Sequence, residues 1–471
     1  MTIIGIFILF FIFVFFIRSL MKKDVLSILA LCIFFVPFSG VSIYNIVDSS
    51  FYFLPFTLMA LFWIVYHLVR LLGPNGVVSI NLNNSYILLL LTFTVAISLS
   101  TLSPILINGS DGFMGSNEQS NIYYPIVPST IYFLQFLYIF IGAIFSIFVI
   151  GFLKELYQIE FLIKIMLLSG LIACIVGLIE LLSFYVGIDY LTWYHTVPTG
   201  DINDKGVRLD GFLGIARINS ISYETVTFAQ HMLIQYAVLH YCRSHNLIIF
   251  SEFKDKALSY IFIISLLLAL SSTAIFGLII IHSLIWMLTD WNIKKVIKLL
   301  VFLISVSFGI YALYSNIEII AQVLDFFVFN KFSSGSFESR LSTGYSSFEV
   351  FIRNPLIGVG FGVLPPSDLI VVLLSGSGLL GFFIFSAMAG VAIYNGYINP
   401  KKIFMSSEKY KILNKDKYRI LTITNALTFS FVILLIVYQA SGFAFRFGDF
   451  WSLSALVVSS YVIRNKMIFS S

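Results

Sequence analysis

Charge is scarce in this sequence. Only 11% of its 471 residues are Asp, Glu, Lys or Arg, while 59% are apolar and the mean hydropathy is +0.98. So little polar side chain cannot wrap so much apolar mass, which excludes a soluble globule. Cysteine is scarcer still: Cys32, Cys174 and Cys242 fall in or beside apolar runs with no CxxC or Cys/His spacing, so neither a disulfide framework nor a zinc site is supported and all three read as packing residues. The first 17 residues are apolar but lack a basic n-region and a small-residue cleavage site, so they are expected to be a retained helix. The alternating segments of about ten residues that a membrane β-barrel requires are missing. So is any repeat dividing the chain into inverted halves, the signature of many secondary transporters.

What is present is a series of long apolar runs rich in Phe, of which there are 50. The expected fold is an all-α polytopic integral membrane protein forming a single transmembrane domain over residues 1–471. Spans are expected near 1–17, 25–47, 51–69, 86–106, 130–153, 162–186, 223–242, 257–271, 274–289, 299–316, 368–397, 420–440 and 450–463, about thirteen helices in all. Of the 28 basic residues, 21 then fall on one side, including the cluster from Lys401 to Arg419, which reads as topology-setting and lipid-contacting, with no nucleic-acid role. That side is expected to be cytoplasmic. The seven that fall opposite are Lys205, Arg208, Arg217, Lys331, Arg340, Arg353 and Arg446.

Two outer segments concentrate them: 187–222, and the larger 317–367. Within the second, Leu341, Tyr345, Phe348 and Ile352 recur at i, i+4, i+7 and i+11, which predicts an amphipathic helix on the membrane surface. Pro355 helps to end it, and "GVGFG" supplies backbone freedom before the next span. Arg340 opens this helix and Arg353 closes it, roughly 20 Å apart at 1.5 Å per residue, so Arg340 alone is expected to grip a ligand while Arg353 caps the helix or meets a headgroup. In the first segment, Arg217 precedes a span that begins "YETV", with Ser222 as the expected N-cap and Glu224 just inside. A helix N-terminus beside Arg217, with Arg340 brought over, would suit a doubly charged phosphate group.

These residues also carry a resemblance. "SR…FEVFIRNPLIGVGFG", followed after a short gap by "LLSGSGLLGFFIF", and "RINSISYETVTFA" resemble motifs of the O-antigen polymerase and ligase superfamily over roughly residues 160 to 400. The resemblance implies a twelve-helix core, here with one extra N-terminal span, in a membrane glycosyltransferase that uses undecaprenyl-diphosphate-linked glycans as donor and acceptor at the periplasmic face of the bacterial inner membrane. The His-Asn pair that ligases carry after the glycine motif is replaced here by Ser367 and Asp368, which favours a polymerase of the Wzy type over a ligase. A flippase or transporter is the less favoured third reading, because ionisable residues at mid-membrane are almost lacking.

On that resemblance Arg217 and Arg340 would bind the diphosphate, with Glu224 as first candidate for the general base and Asp368 as second. Arg353, Arg446, Arg208 and His195 are secondary candidates, and His231 is expected to be structural. Glu180 is expected to pair with an outer arginine. No cofactor is expected; Asp201 and Asp204 form only a weak metal candidate. Partners implied are membrane lipids, a chain-length regulator and a flippase. Aromatic residues in "DYLTWYH" and "NIYYP" are candidates for stacking on sugar rings.

Overall fold

The structure is a computed structural model that describes residues 3–22, 24–41, 43–45, 52–72, 84–107, 112–114, 123–188, 217–222, 224–289, 335–361, 368–397, 415–441, 445 and 448–469, together with the isolated positions 297, 301, 315 and 316. Its helices are α1 (Ile3–Met21), α2 (Val25–Phe34), α3 (Pro55–Leu72), α4 (Ser85–Ile107), α5 (Thr130–Phe152), α6 (Leu156–Val186), α7 (Thr225–Ser244), α8 (Glu252–Leu268), α9 (Ser272–Thr289), α10 (Gly335–Arg353), α11 (Leu369–Gly396), α12 (Lys415–Ser441) and α13 (Gly448–Phe469). Two short antiparallel ladders complete the described elements, β1 (Tyr44–Asn45) with β2 (Tyr52–Phe53), and β3 (Gly112–Met114) with β4 (Tyr123–Pro125). Among the described residues five helices, α4, α5, α6, α11 and α12, are long and apolar enough to cross a membrane. At 1.5 Å per residue the 23 residues of α5 reach about 35 Å, more than a hydrocarbon core of about 30 Å. The chain is thus a helical, membrane-embedded protein.

The expected span 25–47 needs correction. α2 stops after 10 residues, about 15 Å, because Pro37 biases Val36 away from helical geometry and the chain turns over residues 35–41. The expected span 299–316 lies outside the described residues apart from single positions.

The core follows from which helices are apolar all round. α12 is the most enclosed of the five long helices, packing on α7, α13 and α11, and it carries buried Ile420, Leu427, Phe431 and Leu434 together with buried Thr424, Asn425 and Ser430. The hydroxyls are paired: Ser430 donates to the Ile234 carbonyl of α7 at 2.7 Å, and Thr424 to Ile420 O of its own helix at 2.7 Å. Small residues let backbones approach, as membrane helix packing requires. Gly142 of α5 leaves room for the ring of Trp451 on α13, and Gly396 of α11 for Thr428 on α12.

The two ends of the bundle differ. At one end sit paired cations: Arg419 on Glu160 at 2.6 Å, Arg243 on Ser259 at 2.6 Å, and buried Arg464 donating to the last carbonyls of α11, Gly396 O at 2.7 Å and Asn395 O at 2.6 Å. At the other end α2, α4 and α6 finish while α5, α7, α11 and α13 begin, and this is where the arginine-bearing segments lie.

Candidate functional site

α10 has the amphipathic pattern expected of it, and the structure shows which way it turns. Leu341, Tyr345, Phe348 and Ile352 are exposed, while Ser347 and Val350 are buried, Val350 against Ile126 and Val359. The apolar stripe therefore faces away from the protein body, as in a helix that lies in a membrane interface. Arg353, in its last turn, pairs with Glu349 at 3.6 Å, and both are largely exposed.

The "GVGFG" and "SGSG" stretches fit together. α11 is not one continuous helix: Gly378 sits at φ +63°, ψ −168°, a conformation reserved for glycine, and interrupts it. Such a break exposes backbone groups that a membrane protein must satisfy from within. They are satisfied by the chain that follows α10. Val359 and Gly360 donate to Ser375 O and Gly376 O, both at 2.9 Å, while Leu379 and Leu380 donate to Pro355 O and Leu356 O at 2.8 and 3.2 Å. Ser100 of α4 adds a hydroxyl to Gly376 O. A Cβ on Gly358 would stand 2.6 Å from Gly376 C, so the two strands of chain touch backbone to backbone.

One of the expected site residues, Asp368, stands at this junction. Asp368 is the N-cap residue of α11 and makes no side-chain cap bond. Its carboxylate lies 3.8 Å from where a Cβ on Gly344 of α10 would be. Burial pushes the Asp368 carboxyl above its ordinary value, and the Arg340 guanidinium opposes that shift. The Asp368 carboxylate thus sits partly buried at the entrance of a broken span, within the electrostatic reach of the Arg340 guanidinium, an arrangement able to attract an anionic group and to accept a proton.

Arg217 stands on a separately anchored piece, residues 217–222. Glu180 of α6, buried, is expected from the sequence to pair with an arginine; the partners the structure gives it are the backbone N–H groups of Asn219 and Ser220, at 3.1 and 2.5 Å from Oε2. Both amides reach the same oxygen, Oε2, and Oε1 is buried with no hydrogen-bond partner among the described residues. Ile218 fills the space left by Gly177, and Ser220, at φ 56°, donates to Ala173 O at 2.5 Å. Ser222 is not the N-cap of α7. It donates to Pro37 O at 3.2 Å, and Glu224 takes the cap position with an exposed side chain and no cap bond. Glu224 therefore lacks the boundary burial expected of a base.

Beneath these pieces lies a contact that the sequence did not announce. His231, two turns into α7, places Nδ1 2.7 Å from Asp449 Oδ1 in the first turn of α13 and Nε2 3.4 Å from Ser39 Oγ in the turn after α2. All three residues are buried. Their separations of 192 and 218 residues leave no local pattern to find.

Arg208, Arg446 and His195 lie outside the described residues, as do Asp201 and Asp204. Among the described residues no group of three or more His, Cys, Asp or Glu side chains converges as a metal site would require. No protein-family model matches the chain, and no curated protein matches it.

Proposed function

We propose that this chain is a membrane glycosyltransferase of the polymerase kind, which extends a surface polysaccharide by transferring a growing glycan from its undecaprenyl diphosphate to a hydroxyl of an incoming lipid-linked repeat unit. The observation that supports it most is the partly buried Asp368 carboxylate where α10 meets the broken span α11, packed near Gly344 and within the electrostatic reach of Arg340. In the transfer, the bond from the anomeric carbon to the diphosphate oxygen breaks and one to the acceptor oxygen forms. The leaving diphosphate keeps the electron pair, and the acceptor proton passes to a base. Arg340 offsets the charge on the diphosphate, and Arg217 joins it from the 217–222 segment. Asp368 takes precedence over Glu224 as the base, because Arg340 favours its ionised form while its burial strengthens its affinity for the incoming proton.

The exposed apolar stripe of α10 supports a site at the lipid boundary, within reach of a polyprenyl carrier. The paired cations at the opposite end, Arg243, Arg419 and Arg464, support placing that end in the cytoplasm and the site on the periplasmic face of a bacterial inner membrane. A broken helix is also a mark of transporters, whose half-helix N-termini bind anions with free amides. Here Leu379 and Leu380 spend those amides on Pro355 and Leu356, which counts against that reading.

The test is genetic. Cells carrying Arg340→Ala, Arg217→Ala or Asp368→Asn in place of the native chain should lose long polysaccharide and accumulate single repeat units on the lipid carrier. Long chains left on the carrier would instead identify a ligase, and repeat units confined to the cytoplasmic leaflet a flippase.

A further inference from the structure

The buried line Ser39–His231–Asp449 takes no part in the transfer described above, yet it lies between anchors of the two arginine-bearing segments. The segment 217–222 is fixed on one flank by Glu180. On the other it meets the turn 35–41, where Gly40 donates its N–H to Ile221 O at 2.9 Å and Ser222 donates to Pro37 O. That turn is tied in turn to His231 through Ser39, and His231 to the start of α13 through Asp449. The start of α13 is fixed to the other arginine-bearing piece. Phe445 packs edge-on against Phe361 of the glycine stretch with centroids 5.3 Å apart, and Phe450 stacks on Phe385 of α11 at 5.4 Å. A continuous path thus runs from the segment of Arg217 to the chain that follows the helix of Arg340, and His231 is the side chain that joins the turn 35–41 to α13 in it.

We propose that His231 is a positioning residue: held by Asp449 and reaching Ser39, it sets the segment 217–222 and Arg217 in register with the α10–α11 junction. With Nδ1–H donating to the carboxylate, the ring orientation is fixed and Nε2 is left to accept from the Ser39 hydroxyl. Three buried polar side chains stabilise less than well-packed apolar ones would, and what a directional network adds is one arrangement out of several. Turn 35–41 and α13 come from opposite ends of the sequence, and apolar packing alone would let them slide.

The test uses the full chain in lipid nanodiscs and has an arm that needs no substrate. Hydrogen–deuterium exchange is followed in peptides covering 35–41 and 217–222, whose reporter amides are Gly40, Asn219 and Ser220, and in 97–101 and 375–380 as controls. His231→Ala should raise exchange in the first two about tenfold, the size expected for loss of one buried hydrogen bond, and leave the controls unchanged. His231→Asn, which keeps a donor for Asp449, should fall between. Unchanged exchange at 217–222, or a rise shared by the controls, overturns the proposal. If His231→Ala does not fold, Ser39→Ala, which removes a single hydroxyl, is read in the same way and decides. A second arm rests on the proposed function: with lipid-linked repeat unit as probe, His231→Asn should lower kcat/KM several-fold and leave the pH dependence of kcat unchanged, since Arg217 is displaced and Asp368 is not. Failure of that arm alone, with the exchange result intact, counts against the glycan-polymerase reading and not against the register.

Discussion

Gly378→Ala is the substitution with the largest worked consequence. At φ +63°, ψ −168° an alanine is strained by about 1–3 kcal/mol whatever surrounds it. The new methyl would also stand 2.6 Å from Ile357 N and closer still to the Leu356 carbonyl. Both are backbone atoms that cannot rotate aside, and overpacking of that kind adds about 1–3 kcal/mol. The combined loss is therefore on the order of 2–6 kcal/mol, and part of it should appear as release of the chain 355–361 from α11. Gly390, further along α11, supplies the control. It is exposed, nothing lies within 4 Å of its would-be Cβ, and alanine there should be neutral or stabilising by about 0.5–1 kcal/mol. Denaturant titration of both variants in nanodiscs, with limited proteolysis between residues 354 and 362, measures the difference. Equal stability of the two variants, or an uncut Gly378→Ala chain, would refute the docking of the glycine stretch into the break.

Other consequences follow from the same geometry. Glu180→Ala should leave the Asn219 and Ser220 amides buried without an acceptor, at about 1–3 kcal/mol each, and open 217–222 to protease, whereas Glu180→Gln keeps an acceptor and should be milder. Arg353→Ala should change stability by less than about 0.5 kcal/mol and leave polysaccharide length unaltered, because its partner Glu349 is exposed and one turn away on the same helix. Asp368 titrates above its ordinary value, so the folded state holds its proton more tightly than the unfolded chain. Its contribution to stability is then fully present below the unfolded pKa and falls as pH rises from there through the raised folded one. Arg340→Gln removes the opposing cation and should move the Asp368 pKa further up, as read by the carboxyl infrared band against Asp368→Asn. A shift downward would separate the two residues.

The elements that could be read from the sequence were those written in local periodicity. α10 was legible because Leu341, Tyr345, Phe348 and Ile352 repeat at helical spacing, and the end of α10 because Pro355 and the glycines punctuate it. The break in α11 was not legible. "LLSGSGLLGFF" has the apolar density of a helix, and only the chain 355–361 lying alongside makes Gly378 adopt a left-handed conformation. The shortness of α2 was hidden for a similar reason, since the apolar residues after Pro37 are buried by 217–222 and α7, not by lipid. In the candidate site the sequence pointed to Arg340 and Asp368, and the fold puts Asp368 within the electrostatic reach of Arg340. It put Glu180 beside a cation, whereas the fold gives it the amides of Asn219 and Ser220, and it had no means of joining Ser39, His231 and Asp449.

The measurement that bears most directly on the account is synthesis by the purified protein. In nanodiscs, supplied with the lipid-linked repeat unit isolated from cells lacking this chain, the native protein should yield a ladder of products differing by one repeat, and Arg340→Ala and Asp368→Asn should yield none while remaining folded. A ladder of undiminished length from either variant, or no ladder from the native protein with its substrate intact, would contradict it.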